Sequence, residues 1–156
     1  VRGIDWFAGV GGYTLAMRRA GIAVVGACER DVAKHVRYVE ACGIPRWFGE
    51  DCVRWDPPPA EIWTACAAVR DLQAWLTRRL LPRWVVCETV VSDWDGLHGL
   101  VVPDRSSWSR AGKRGFVVYG PRVLDLPPLP EHDGQGPESD PHTLDIVLRA
   151  IVEADA

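Results

Sequence analysis

The sequence predicts an α/β protein built on a mainly parallel sheet, and three observations carry that expectation. Short apolar runs alternate with amphipathic stretches between Ile4 and Cys87, the order expected of βαβ units. A glycine-rich turn joins the first apolar run to the first helical pattern. Arg83 to Cys87 reads RWVVC, a near-continuous apolar run of the kind that is covered on both faces of a sheet.

Each element follows from local chemistry. Ile4 to Phe7 is a short buried strand, Gly9 to Gly12 a turn, and Tyr13 to Ala20 a helix closed by Gly21. Ile22 to Ala27 is rich in β-branched residues and reads as a second strand. Asp31 can cap a helix that runs to Cys42 and stops at Gly43. Glu61 to Ala65 and Arg83 to Cys87 are further strands, with a helix over 69–80 carrying Leu72, Trp75, Leu76 and Leu80 between them. Arg114 to Tyr119 is another strand. The proline-rich stretch 123–141 is irregular. Asp140 and Pro141 suit the start of a last helix, in which Leu144, Val147, Leu148, Ile151 and Val152 form an apolar stripe. The chain divides into a core over 1–122, the proline-rich acidic segment 123–141, and a C-terminal helix over 142–156 that packs on the core. No internal repeat is visible.

Composition bounds the function. With 156 residues, 47% hydrophobic and 25% charged, this is the profile of one ordinary globular domain. No apolar run reaches the roughly 20 residues that cross a bilayer, and no signal-peptide pattern opens the sequence. Five cysteines without a CxxC pair fit neither a disulfide framework nor a zinc site, so a reducing cytoplasm is the expected location. The net charge of −3 rules out a basic nucleic-acid binder as a whole. Locally, Arg105, Arg110, Lys113, Arg114 and Arg122 form an acid-free basic stretch, which suits a phosphate-facing patch or a solvated strand end equally. The eight tryptophans have no evident reason in the sequence.

The opening turn, DWFAGVGG, is costly as scaffold, because glycine loses the most backbone freedom on folding. Strand, glycine turn and helix together present free N–H groups and no side-chain bulk to a nucleotide-like ligand. Taken alone, the turn fits a tight structural turn equally well. The next strand ends in CERD, placing Glu29 where a carboxylate can accept both hydroxyls of a ribose. The third unit ends in GEDC, where Asp51 can accept from an adenine amine. Singly these are ordinary loop acids. In register with the turn they favour an adenosyl ligand.

DWFAGVGG, CERD, GEDC and WVVCETV, in that order, resemble the motifs of the C5-cytosine DNA methyltransferases over 3–56 and 82–90. The resemblance implies a Rossmann-like S-adenosylmethionine-dependent methyltransferase fold with a mainly parallel sheet. It implies S-adenosylmethionine held by Phe7, Ala8, Gly9, Val10, Gly11, Gly12, Glu29, Arg30, Asp51 and Cys52, and DNA as the partner. In that family a cysteine thiolate attacks C6 of a flipped cytosine, a glutamate hydrogen-bonds N3, C5 then takes the methyl group, and a base removes the C5 proton. Glu88 of CETV matches the glutamate, with threonine where asparagine is usual. Cys66 of IWTACAAVR is the cysteine at the nucleophile's location, without the flanking Pro and Gln. Arg114 of GKRGF matches the last arginine of a further motif, whose first arginine is replaced by Gly112. No stretch over 120–156 is large enough for a separate target-recognition domain, so a second chain is expected to supply recognition and DNA binding alone to be weak. Three readings stand: a cytosine-5 methyltransferase, a non-catalytic S-adenosylmethionine-binding homologue serving as a partner subunit, and a methyltransferase for another substrate.

Overall fold

Apolar residues at alternate positions of β1 (Arg2–Trp6) and its neighbours build the sheet that the sequence predicts. The computed structural model describes residues 1–51, 54–66, 82–90, 100–109, 112–121, 124 and 141–156. Among them, the order continues with α1 (Gly12–Arg19), β2 (Ala23–Cys28), α2 (Val32–Cys42), β3 (Trp47–Gly49), β4 (Ile62–Cys66), β5 (Trp84–Val90), β6 (Leu100–Ser109), β7 (Gly112–Tyr119) and α3 (Pro141–Asp155). The expected helix over 69–80, the Asp140 cap and nearly all of the proline-rich segment lie outside the described residues.

The strands form one sheet in the order β3-β2-β1-β4-β5-β7-β6. The pairs from β3 across to β5 are parallel, and β7 runs antiparallel to both β5 and β6. A polar, proline-containing sequence hides β6 from pattern reading, and β3 is only three residues long. Most expected bounds move by one to three residues; in particular β4 is Ile62–Cys66 rather than 61–65, so Cys66 is a strand residue, and β5 runs to Val90 rather than ending at Cys87.

Alternation sorts the side chains onto two faces. Ile62, Trp84, Val86 and Val118 cluster with Tyr13, Ala16 and Met17 of α1 and with Leu144, Val147, Leu148 and Ile151 of α3. Ile4, Trp6, Trp63, Ala65, Val85 and Cys87 form the opposite cluster. Part of the tryptophan content is explained there. Trp6 meets Trp55 and Trp63 edge to face at ring separations of 5.0 and 5.4 Å. Trp55 lies so close over Gly49 that a Cβ there would come 2.5 Å from its ring, so only glycine fits beneath it.

The start of α1 depends on a distant carboxylate. Its N-cap is Gly11, which has no side chain to accept the exposed amides of the first turn. Asp5 of β1 does this instead: its Oδ2 accepts from the Thr14 amide at 2.9 Å and from the Thr14 hydroxyl at 2.8 Å. Thr64 of β4 donates to Oδ1 at 3.2 Å, and Tyr38 of α2 lies 2.8 Å from the Thr14 hydroxyl. Burial drives the Asp5 carboxyl up, the Thr14 and Thr64 bonds pull it down, and the charge of Glu29 raises it, leaving it at about 7. Burial likewise pushes the Tyr38 hydroxyl up to about 12, against the lowering effect of its Thr14 bond.

The C-terminal helix is fastened at both ends. Asp145 forks onto Arg19 of α1 at 2.9 and 3.0 Å. Asp155, nearly buried, accepts from the Trp84 indole and from Arg83, both at 3.0 Å.

Two expectations follow. Asp155→Ala strands the indole N–H of fully buried Trp84, and a lost bond of this kind costs about 1–3 kcal/mol, read as a lower denaturation midpoint. For Asp5 the folded carboxyl titrates above its unfolded value of about 3.9. Between these values the folded state holds a proton that the unfolded chain has lost, so unfolding free energy falls as pH rises from about 4 to about 7. One such group contributes a slope of at most about 1.4 kcal/mol per pH unit. Denaturant titrations across that window should show a shallower fall in Asp5→Asn than in the parent.

Candidate cofactor and substrate site

The carboxyl ends of β1, β2 and β3 meet at one edge of the sheet, where an open α/β sheet receives its ligand. The chain leaves β1 through Phe7, Gly9 and Gly11, all at positive φ (55°, 57° and 95°). Two backbone bonds fix this turn: the Ala8 amide donates to Cys28 O at 2.9 Å and the Gly11 amide to Ala8 O at 2.8 Å.

The glycines of the turn serve different ends. A Cβ on Gly11 would collide with Sγ of Cys42 and come within 3.2 Å of the Tyr38 ring, so its bareness is demanded by α2. A Cβ on Gly12 would meet nothing within 4 Å, and one on Gly9 only the Phe7 carbonyl at 4.0 Å. The bare face over Gly9 and Gly12 is therefore open, as a ligand approaching the main chain requires. Val10, between them, is half exposed.

Glu29, just beyond β2, is 8% exposed and reaches back to the turn. Its Oε2 accepts from the Gly9 amide and its Oε1 from the Asp31 amide, both at 2.7 Å. The Glu29 amide in turn donates to Gly49 O at 3.0 Å, joining the tips of β2 and β3. A carboxylate has about four acceptor positions, so each oxygen retains capacity beyond its amide. Asp31 caps α2 as expected, accepting from Ala33 at 2.9 Å and Lys34 at 3.3 Å. Asp51, two residues past β3, is exposed and anchors a turn through the Trp55 amide, which donates to its carbonyl at 2.8 Å. Arg30 is exposed beside Glu29. Cys52 lies outside the described residues.

The proposed chemical residues sit on the next strands. Cys66 ends β4 and is in register with Glu88 on β5. Glu88 is 7% exposed and faces the α1 side of the sheet, where the Tyr13 hydroxyl donates to its Oε2 at 3.3 Å. Arg114 of β7 pairs with Val90, two residues beyond Glu88. Glu29 is thus joined to Gly9 of the turn, Glu88 to Tyr13 of α1, and the backbones of Cys66 and Arg114 lie on the strands flanking Glu88. Tyr13 was not singled out from the sequence, since an aromatic residue in an apolar helix face reads as core.

Of the other cysteines, Cys28, Cys42 and Cys87 are buried thiols outside any disulfide. Burial pushes the Cys42 thiol up from its ordinary value, which disfavours the thiolate. Among the described residues no group of three or more His, Cys, Asp or Glu side chains could hold a metal ion, and no helix is long and apolar enough to cross a membrane.

No family model matches the chain. In sequence it is similar to the ribosomal RNA large subunit methyltransferase M of Alkalilimnicola ehrlichii, 30% identical over 119 residues, which covers 75% of this chain and 30% of that protein. In structure it is similar to the Dnmt2 methyltransferase of S. pombe (TM-score 0.54, 14% identity, 76% of this chain and 48% of the other). A putative prophage DNA modification methyltransferase of E. coli aligns with TM-score 0.55 and 18% identity over 76% of this chain and 46% of the other. A dimethyladenosine transferase of Plasmodium falciparum aligns with TM-score 0.52 and 12% identity over 75% and 54%. The chain therefore spans under a third of its sequence relative and about half of these structures. Strand order, parallel core and antiparallel β7 give it the Rossmann-like fold of the S-adenosylmethionine-dependent methyltransferases.

Proposed function

We propose that the chain is an S-adenosylmethionine-dependent methyltransferase domain acting on nucleic acid, with C5 of cytosine in DNA as its target. The observation that carries this reading is the bridge from the open turn at Gly9 through Glu29 to the strand tips, a carboxylate set where an adenosyl ribose would lie. The nucleic-acid substrate is supported by the motif order and by the RNA- and DNA-modifying names of the similar proteins.

The residues present fit the cofactor. Gly9 and Gly12 leave room at the main chain, Glu29 offers ribose acceptors, and exposed Arg30 and Asp51 flank the adenine side. Bound there, S-adenosylmethionine supplies an electrophilic methyl group on a sulfonium centre. On the substrate side, Cys66 is the proposed nucleophile toward C6 of the base and Glu88 the proposed partner of N3. A hydrogen bond at N3 lets the ring accept the electron pair that arrives with the thiolate. Arg114 is proposed to stand beside this pair from β7, and DNA recognition to come from a second chain.

A second reading has its own support. Neither Pro nor Gln flanks Cys66, and the stretch to Glu88 is short for a closing loop. In that reading the chain binds S-adenosylmethionine and serves as a partner subunit without attacking a base.

Calorimetric titration with S-adenosylmethionine should show one site, with affinity weakened about tenfold or more in Glu29→Ala through lost charge-assisted bonds. Unchanged affinity in that variant removes the pocket assignment. A duplex carrying 5-fluorocytosine, mixed with chain and cofactor, should give a covalent complex that disappears in Cys66→Ser. Cofactor binding without any such complex decides for the second reading.

A further inference from the structure

We infer that Tyr13 is a positioning residue for Glu88, its hydroxyl aiming the carboxylate from the helix that opens out of the glycine turn. The inference rests on the reading of Glu88 as the base-contacting acid and adds a residue to it. Tyr13 is 8% exposed and belongs to the apolar cluster under α1 and α3, with Met17, Trp84, Leu144 and Leu148. Packing in that cluster would be met equally by phenylalanine. What the tyrosine adds is one O–H, and that O–H lies 3.3 Å from Oε2 of a carboxylate that is itself buried.

The placement is specific. Tyr13 is the second residue of α1, directly before Thr14, whose amide and hydroxyl bind Asp5. Adjacent residues of one helical turn are thus fixed to two carboxylates on different strands, Asp5 on β1 and Glu88 on β5. Because Asp5 anchors this turn and the turn follows the open glycines, the Tyr13 hydroxyl has a fixed origin relative to the cofactor side. A phenol O–H is a single directed donor, so it holds one carboxylate oxygen and sets the plane of the other. A glutamate has three rotatable side-chain bonds, and a buried donor removes most of that freedom where an acid must meet one ring nitrogen.

The test is Tyr13→Phe in the full chain, with Glu88→Gln used to assign the Glu88 side-chain carboxyl signal in a 13C spectrum. The Glu88 signal should move in Tyr13→Phe, while the denaturation midpoint and the affinity for S-adenosylmethionine change little, within about twofold for the affinity. With cytosine-containing duplex as substrate, kcat should fall about tenfold and KM for S-adenosylmethionine should hold, the loss expected of one buried hydrogen bond. An unmoved carboxyl signal overturns the inference, and so does a moved signal with kcat intact. Absence of turnover in the parent chain counts against the proposed reaction instead. The carboxyl signal then decides the contact by itself, displaced for it and unmoved against it.

Discussion

The interaction on which the rest of this structure depends is the bond between Asp5 and the first turn of α1. A helix that begins directly after a glycine turn has no side chain of its own to satisfy its leading amides. A carboxylate from β1 takes that place, and its second oxygen holds Thr64 of β4. Strand, turn, helix and neighbouring strand are therefore locked to one another by a single buried group. The open glycines can stay bare because the helix that follows them is held from below. The arrangement is polarised: the positive end of the α1 dipole favours a charged carboxylate, while complete burial and nearby Glu29 disfavour it. The balance leaves Asp5 titrating near neutrality, unlike an ordinary surface aspartate.

Two more carboxylates repeat the theme with different partners. Glu29 binds two backbone amides, one from the turn and one from the start of α2, and so couples the tips of β1 and β2. Glu88 binds a side chain, the Tyr13 phenol, across the α1 side of the sheet. Glu29 lies just past the end of β2 and Glu88 is in register with the last residue of β4, because the parallel register brings successive carboxyl ends to one edge. The opposite face is built on the Trp6, Trp55 and Trp63 edge-to-face group.

Much of this is legible in the sequence alone. The apolar runs at Ile4, Ile22 and Arg83 and the glycine stops at Gly21 and Gly43 have mechanisms that act within a few residues, so pattern reading finds them. Asp31 as the cap of α2 is legible for the same reason. What stayed hidden acts over long separations. Asp5 as the cap of α1 lies nine positions from Thr14, and nothing local marks the pair. The need for glycine at position 11 comes from Cys42 and Tyr38, which only the packing of α2 brings near. Strand β6 carries Pro103 and polar residues and takes its strand form from pairing with β7. Tyr13 reads as core because its ring is core, and only its hydroxyl differs.

The turn and Glu29 are together proposed to form the adenosyl pocket at this edge of the sheet. Backbone amide spectra recorded during titration with S-adenosylhomocysteine address it most directly. Saturable shifts are expected, centred on Gly9, Gly11, Gly12, Glu29, Arg30 and Asp51, with the amides of α3 unmoved. Shifts confined to α3 or to the β6–β7 edge, or none at millimolar ligand, would contradict it.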